Sequence, residues 1–427
     1  MIKTRSALVA GAVLAESIAF GTAYADNFID RGTAFIDFHN YYFDRQFQDN
    51  PGAPYKSRYR EWAQAINFTY KSDFTEGPVG FGFDLKTLTG IKLDSTPRQS
   101  GTGLLPLDSD GRAEDEYSTL GFTAKIRAAK SELNVGQLVL NLPLTLSSPA
   151  RLQPQTFNGA YLRSEDISGL ALHLGHLDKI KYRDSSNNEK ITVSTPNARF
   201  RQAESSGMTF VGADYKATDE LTVMMHGAEL EDIYKQQYLG LVHVAPVGGG
   251  SLKTDVRLQF SQEDGDALAG PVDNQHLGVV FRYKYNAHRI SVGYMQLFGD
   301  TGQPYMGRSE PSPVVEGAMS TDFLNAKERT WQIREDYDFA AMGVPGLTGT
   351  LWHMRGDGAQ LPESMGGKNR SERETQAALA YTVRSGPLKA VTVRLRHAWY
   401  RNNFEPTATF RDNNEFRINV YYTWKLW

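Results

Sequence analysis

The sequence predicts an all-β protein: a transmembrane, antiparallel, up-and-down β-barrel of 18 strands. Period-2 alternation of apolar and polar residues recurs between turn residues, whereas amphipathic helix patterns are scarce. Short turns also alternate with long polar loops, which is typical of transmembrane barrels. No run of about 18 apolar residues follows the N-terminal segment, so a transmembrane helix is not expected. A large soluble periplasmic or secreted protein is the alternative, but a soluble sandwich has no reason to segregate loop lengths in this way.

The N-terminal residues 1–25 are predicted to be a secretory signal peptide. Lys3 and Arg5 precede an apolar run at 7–15, and Ala-Tyr-Ala at 23–25 is a small-residue cleavage site. Residues 26–427 then form one barrel domain, because no linker rich in Pro, Gly or Ser divides them.

Composition excludes some classes of protein. The formal net charge of −3 argues against a nucleic-acid-binding protein, which is normally basic. The absence of Cys excludes a disulfide scaffold and a thiolate metal site.

Strands are expected where the alternation is bounded by turn residues. In chain order the predicted strands are 33–44, 58–70, 79–93, 117–129, 132–140, 156–163, 168–178, 207–216, 221–230, 237–244, 251–261, 275–286, 288–299, 329–339, 347–355, 372–384, 388–400 and 415–426.

The connections between these strands fall into two classes, and the short ones are expected to face the periplasm. The short turns are 71–78, 216–220, 245–250, 286–287, 341–346 and 384–387. The long loops are 94–116, 141–155, 179–206, 262–274, 300–328, 356–371 and 401–414.

The last predicted strand, "EFRINVYYTWKLW", separates an apolar face from a polar one. One face suits lipid, with aromatic residues near the interface, and the other suits water. The apolar parity holds Phe416, Ile418, Val420, Tyr422, Trp424 and Leu426, and the other holds Arg417, Asn419, Tyr421, Thr423 and Lys425.

The stretch "TVRLRHAWYR" carries charge on one face of a strand. Val393 and Leu395 share one parity, and Arg394 and Arg396 share the other. An Arg in the hydrocarbon costs roughly 2–4 kcal/mol near the bilayer midplane, so both are expected to face the lumen. An 18-stranded barrel is wide enough to hold an aqueous channel.

Further arginines are predicted near this strand. Arg417 lies on the next strand, and Arg45 and Arg60 flank the first hairpin, which must adjoin the last strand when the barrel closes. Such arginines either brace the wall through Asp and Glu or form a track that favours anions, especially carboxylates.

Several long, irregular stretches resemble the OprD-type porins, the 18-stranded, substrate-specific carboxylate channels of Gram-negative outer membranes. The resemblance runs from the mature N-terminus to the end of the chain. It is carried by "NYYFDR" (40–45), "GTGLLPLDSDGRAEDEYS" (101–118), "SPARLQPQTFNG" (148–159), "GAELEDIYKQQYL" (227–239), "DYDFAAMGVPGLT" (336–348), "SGPLKAVTVRLRHAW" (385–399) and "NEFRINVYY" (414–422).

The resemblance implies a ladder of basic residues along the pore wall, with loops three and seven folded inward as a constriction. Asp322, in the seventh loop, is the expected acidic partner at the constriction. His39 and Ala380 stand where some members have Arg and Lys. The implied ladder consists of Arg45, Arg60, Arg127, Arg151, Arg394, Arg396 and Arg417.

The expected function is passive, selective diffusion of small carboxylates, such as aromatic or other organic acids, across a Gram-negative outer membrane. A porin for basic or other amino acids or small peptides is an alternative. An outer-membrane barrel hydrolase and a structural or adhesive barrel are alternatives of other classes. No catalytic residue, cofactor or metal ligand is predicted, although the acidic loops at 114–117 and 229–232 leave Ca²⁺ binding open.

The expected partners follow from this function. They are small carboxylate solutes, outer-membrane lipids and the barrel-assembly machinery, with no nucleic acid, and the barrel is expected as a monomer or a weak trimer.

Overall fold

The computed structural model describes residues 25–49, 51–311, 313 and 317–427. The predicted signal peptide lies outside the described residues except for Ala25, which begins the short helix α1 (Ala25–Asp30). Across the described stretches, no helix is long and apolar enough to cross a membrane. The 3₁₀ helices are Pro196–Ala198, Phe339–Met342 and Glu363–Met365.

The strands account for most of the described chain. In order they are β1 Thr33–Phe47, β2 Arg58–Lys71, β3 Val79–Ser95, β4 Glu116–Ala128, β5 Ser131–Leu138, β6 Asn141–Leu142, β7 Thr145–Leu146, β8 Thr156–Ser164, β9 Leu170–Lys181, β10 Ile191–Thr192, β11 Glu204–Ser205, β12 Met208–Lys216, β13 Leu221–Leu230, β14 Tyr234–Val247, β15 Gly250–Glu263, β16 Asp273–Tyr285, β17 His288–Phe298, β18 Arg329–Asp338, β19 Leu347–Ala359, β20 Arg370–Thr382, β21 Thr392–Asn402 and β22 Asn413–Lys425.

Eighteen of these strands form one closed antiparallel barrel. The other four, β6, β7, β10 and β11, are two-residue strands within loops. β1 closes the ring by pairing with β22, so that Arg45 lies opposite Glu415 and Phe35 lies opposite Lys425. Closure leaves no edge strand, and backbone groups of the wall pair within the sheet. The predicted fold class is confirmed.

Side chains alternate between a lipid-facing surface and the lumen. On β4, Leu120 (73% exposed) and Phe122 point outward, whereas Tyr117 and Thr123 are buried on the inner face. The same alternation on β22 buries Arg417 inside the barrel. The alternation of side chains along each strand therefore determines which side chains of the wall face lipid and which face water.

The predicted strand 388–400 begins four residues later than expected, at Thr392. The preceding residues close a turn, in which Ala390 N donates to Val383 O at 2.9 Å and Val391 N donates to Leu388 O at 3.0 Å. Ala390 has a φ of 73°, which a regular strand does not accommodate.

Helix α1 marks the end of the barrel that carries the short turns. Tyr70 Oη donates to Ile29 O at 2.9 Å, and Asp73 N donates to Phe28 O at 3.0 Å. The long loops extend from the opposite end.

Two long loops fold back into the lumen, as expected. We call the β5–β8 connection (139–155) loop 3 and the β17–β18 connection (299–328) loop 7, since they are third and seventh on the long-loop side. Loop 3 reaches the inner wall, where Gln153 Nε2 donates to Asn67 Oδ1 at 2.9 Å. It also contacts loop 7, since Gln155 Nε2 donates to Gly307 O at 3.1 Å.

Loop 7 is attached to the wall through two backbone amides and one side-chain hydroxyl. The amides of Met319 and Ser320 donate to the Glu374 carboxylate at 2.7 and 2.8 Å, and Thr321 Oγ1 donates to Glu372 at 2.5 Å. Both glutamates are on the inner face of β20, so the loop lies across the lumen.

The outward position of Ile418, near the middle of β22, gives a test of the barrel orientation. We expect Ile418→Arg to lower the free energy of unfolding by roughly 2–4 kcal/mol, because a guanidinium then enters hydrocarbon. Urea unfolding of the barrel refolded in phospholipid vesicles measures this. Ile418→Leu is the matched control and should cost less than about 1.5 kcal/mol. Equal stability of the two variants would contradict the lipid-facing assignment.

Candidate functional site

Three adjacent strands, β21, β22 and β1, present ordered rows of side chains to the lumen. The register places one inner-face residue of each strand in each row, and successive rows lie about 6–7 Å apart. From the long-loop end the rows are Ala398, Glu415 and Arg45; Arg396, Arg417 and Phe43; Arg394, Asn419 and Tyr41; and Thr392, Tyr421 and His39.

In the two rows nearest the long-loop end, two arginines bind one buried carboxylate. Arg45 Nε donates to Glu415 Oε2 at 2.6 Å, and Arg417 Nε donates to Glu415 Oε1. Both guanidiniums also donate to Met319 O of loop 7, at 3.1 and 3.0 Å. Arg45 and Arg417 therefore brace the constriction loop and still leave an excess of positive charge.

Below them, Arg394 and Arg396 have no ion-pair partner within the described part of the chain. Arg396 lies opposite Arg417, and Arg394 lies opposite the neutral Asn419. The buried Nε of Arg396 has no hydrogen-bond partner among the residues that the structure describes. An arginine without a carboxylate in a partly dehydrated wall keeps its capacity to bind an anion.

Two loop arginines extend this basic surface. Within the described chain, Arg151 in loop 3 donates only to backbone oxygens, with Nε at 2.8 Å from Thr102 O. Burial lowers the pKa of Arg151 to about 9, with smaller effects from the nearby charges of Arg417 and Arg183. Burial also lowers the pKa of Arg183, whose hydrogen bond is to Ser148 Oγ at 2.9 Å. Asp184 and Glu310 oppose the shift at Arg183, but burial outweighs them.

The structure brings together Arg45, Arg151, Arg394, Arg396 and Arg417, but it places Arg60 elsewhere. Arg60 shares the parity of the exposed Trp62 and lies on the outer face, where it pairs with Asp94 at 3.3 Å. The neighbouring Glu61, fully buried, takes the inner position and accepts from Thr102 N. Strand parity, rather than nearness to the first hairpin, would have predicted this arrangement.

Arg127 faces inward but is remote from the cluster. It lies opposite Gly80 near the short-turn end of β4, four strands from β22. Its guanidinium lies over the Phe74 ring at 4.2 Å. It therefore belongs to the opposite mouth of the lumen.

Asp322 lies in loop 7, as expected, but its carboxylate is already bound. Arg199 donates to its two oxygens at 2.7 and 2.5 Å, and Tyr305 Oη donates at 3.0 Å. Asp322 lines the cavity beside Arg151 and Arg417, and so does a second acidic residue, Glu310. It accepts from Ser148 Oγ of loop 3 at 3.1 Å, and burial raises its pKa, partly opposed by Arg183.

Arg45, Arg151, Arg183, Arg417 and Glu310 line a cavity of about 1170 Å³ between loops 3, 4 and 7, where loop 4 is the β9–β12 connection (182–207). The cavity leads from the long-loop side toward the rows of β21 and β22. In the part of the chain that the structure describes, no cluster of His, Cys, Asp and Glu side chains could hold a metal ion.

Some of these residues were absent from the sequence prediction. Glu415 had a usable signal, because it precedes Arg417 by two residues and thus shares its face of the strand. Arg183 and Arg199 had none, since both lie in an irregular loop whose course depends on tertiary contacts.

Comparison with known proteins agrees with this geometry. Residues 26–426 match the family model described as outer membrane porin, OprD family. Porin D of Pseudomonas aeruginosa is 32% identical over 431 residues, covering 96% of this chain and 94% of Porin D.

Solved structures are similar over nearly the whole chain. OccAB2 of Acinetobacter baumannii superposes with a TM-score of 0.89 at 36% identity, covering 94% of this chain and 99% of that one. OpdK of P. aeruginosa, solved with vanillate, has a TM-score of 0.85 at 33% identity and covers 93% of this chain and 100% of its own. This chain therefore belongs to the OprD family of porins, which reside in the outer membrane of Gram-negative bacteria.

Proposed function

We propose that the chain is a passive channel selective for small carboxylates, which move along the arginines of β21, β22 and loop 3. No covalent step is involved, so the protein acts as a channel and not as an enzyme. The observation that carries the proposal is the absence of any paired carboxylate on Arg394 and Arg396, next to the constriction, among the described residues.

A carboxylate suits this surface. The guanidinium offers parallel N–H donors that match the two carboxylate oxygens, and it stays charged at physiological pH. A basic amino acid is less favourable, because its second cation would enter a field dominated by arginines. The related OpdK structure with vanillate, which is itself a carboxylate, supports the same class of solute.

Transport requires that binding be moderate at each step. A carboxylate entering the 1170 Å³ cavity would first meet Arg151 and Arg183, then the row of Arg396 and Arg417, and then Arg394. Each guanidinium replaces part of the hydration shell, and successive sites of similar strength let the solute leave. Loop 7 limits the size of what passes.

Removing the two unpaired arginines tests the proposal. We expect Arg394→Ala/Arg396→Ala to lower the apparent affinity for benzoate at least about tenfold, because a charge-assisted hydrogen bond contributes about 1.5–3 kcal/mol and 1.4 kcal/mol equals one factor of ten. Concentration-dependent flux in a liposome-swelling assay measures this affinity, and planar-bilayer reversal potentials measure anion selectivity.

Arg355→Ala is the matched control, because Arg355 lies on the outer face of β19 and pairs with Asp357 at 2.9 Å. It should leave both quantities unchanged. The carboxylate assignment fails if the double variant transports benzoate with the affinity of the original protein.

A second prediction concerns the attachment of loop 7. We expect Glu374→Ala to raise single-channel conductance and current noise, because two backbone amides of the loop lose their acceptor. The expected change in conductance is about twofold or less, since Arg45 and Arg417 still hold Met319 O. Glu335→Ala, at an exposed outer position, is the control. Unchanged conductance and noise in Glu374→Ala would show that these hydrogen bonds do not position the constriction.

A further inference from the structure

The row below the arginines differs in chemistry from the rows above it. It contains Tyr421 and His39, which lie directly opposite each other on β22 and β1. Their rings stack with centroids 4.4 Å apart and an interplanar angle of 20°. Tyr421 is 37% exposed, although the preceding inner-face residues of β22, Arg417 and Asn419, are buried. An aromatic surface is therefore open to the lumen at this level.

His39 supports this surface and is not a further cationic site. Its Nδ1 donates to Leu152 O at 3.2 Å, and its Nε2 accepts from Asn419 Nδ2 at 3.1 Å. A ring that donates through one nitrogen and accepts through the other is neutral. The hydrogen bonds fix the plane of the imidazole, with one face against Tyr421.

Tyr421 is also close to the unpaired arginines. Arg394 lies opposite Asn419, one pleat repeat from Tyr421, so the two side chains are diagonal neighbours on the inner face. Arg396 lies one repeat further toward the long-loop end. A single small molecule could therefore contact Tyr421 and an arginine at the same time.

We propose that Tyr421, backed by His39, is a stacking site for the aromatic ring of a carboxylate whose charged group is held by Arg394 and Arg396. The inference rests on the proposed function and narrows its substrate class to aromatic monocarboxylates. The ring of the solute extends the stack begun by His39 and Tyr421, while the guanidiniums bind the carboxylate oxygens. Offset stacking favours an aromatic ring over a saturated one of the same size.

The test compares benzoate with cyclohexanecarboxylate, which matches its charge and approximate size but lacks a π face. Apparent affinities are measured by mutual inhibition of flux in proteoliposomes containing the full barrel. We expect the original protein to prefer benzoate by roughly threefold to tenfold, as a single aromatic pair would give. Tyr421→Leu should abolish this preference, and Tyr421→Phe should keep it.

Two controls separate the stacking site from general damage. Tyr381→Leu removes a similarly exposed tyrosine from the outer face of β20 and should leave the preference intact. The anion selectivity of Tyr421→Leu should equal that of the original protein, because no charge has changed.

The outcomes for the two proposals are distinguishable. Equal affinity of the original protein for the two acids, or an unchanged preference in Tyr421→Leu, overturns the stacking site and leaves carboxylate selectivity standing. A protein that transports neither acid better than a neutral sugar of similar size overturns the proposed function itself.

Discussion

Each strand of the barrel has one face in hydrocarbon and one in the lumen, and this two-sidedness governs the rest of the structure. Charge is tolerated on the inner face alone over most of the strand, so residues two apart in sequence become neighbours in the pore. Glu415 and Arg417 are such a pair, and so are Arg394 and Arg396. The rows of inner-face side chains therefore follow from the position of each strand between lipid and water.

The charged side chains of the lumen fall into two groups: those that form ion pairs holding the loops in place, and those without an ion-pair partner among the described residues. Arg45 and Arg417 share Glu415 and hold loop 7 against the wall, whereas the Arg199–Asp322 pair joins loop 4 to loop 7. Arg394 and Arg396 have no such role among the described residues. Desolvated charge without a partner is costly. Its retention beside a constriction is the physical basis for the proposal that these two arginines bind the solute.

The strands, their number and the inward direction of Arg394, Arg396 and Arg417 were predictable, because each depends on local alternation. The outward position of Arg60 was also predictable from the sequence. The alternation along β2 had to be given more weight than the proximity of Arg60 to the first hairpin. The partner of Asp322 could not be predicted from the sequence, since Arg199 is 123 residues away and the two meet through the folding of two loops. The contact between Ser148 and Glu310 likewise joins two loops, and the alternation of side chains along strands says nothing about the course of loops. The late start of β21 arises from a turn that the apolar pattern alone does not reveal.

Loop 7 is held at its centre mostly by main-chain atoms: the Met319 carbonyl receives two arginines, and the Met319 and Ser320 amides reach Glu374. Any residue other than proline supplies the same amide and carbonyl groups. These main-chain hydrogen bonds therefore do not depend on which side chains residues 319 and 320 carry. Substitutions at these two positions can therefore change the chemistry of the loop while its main-chain attachment to the wall is kept.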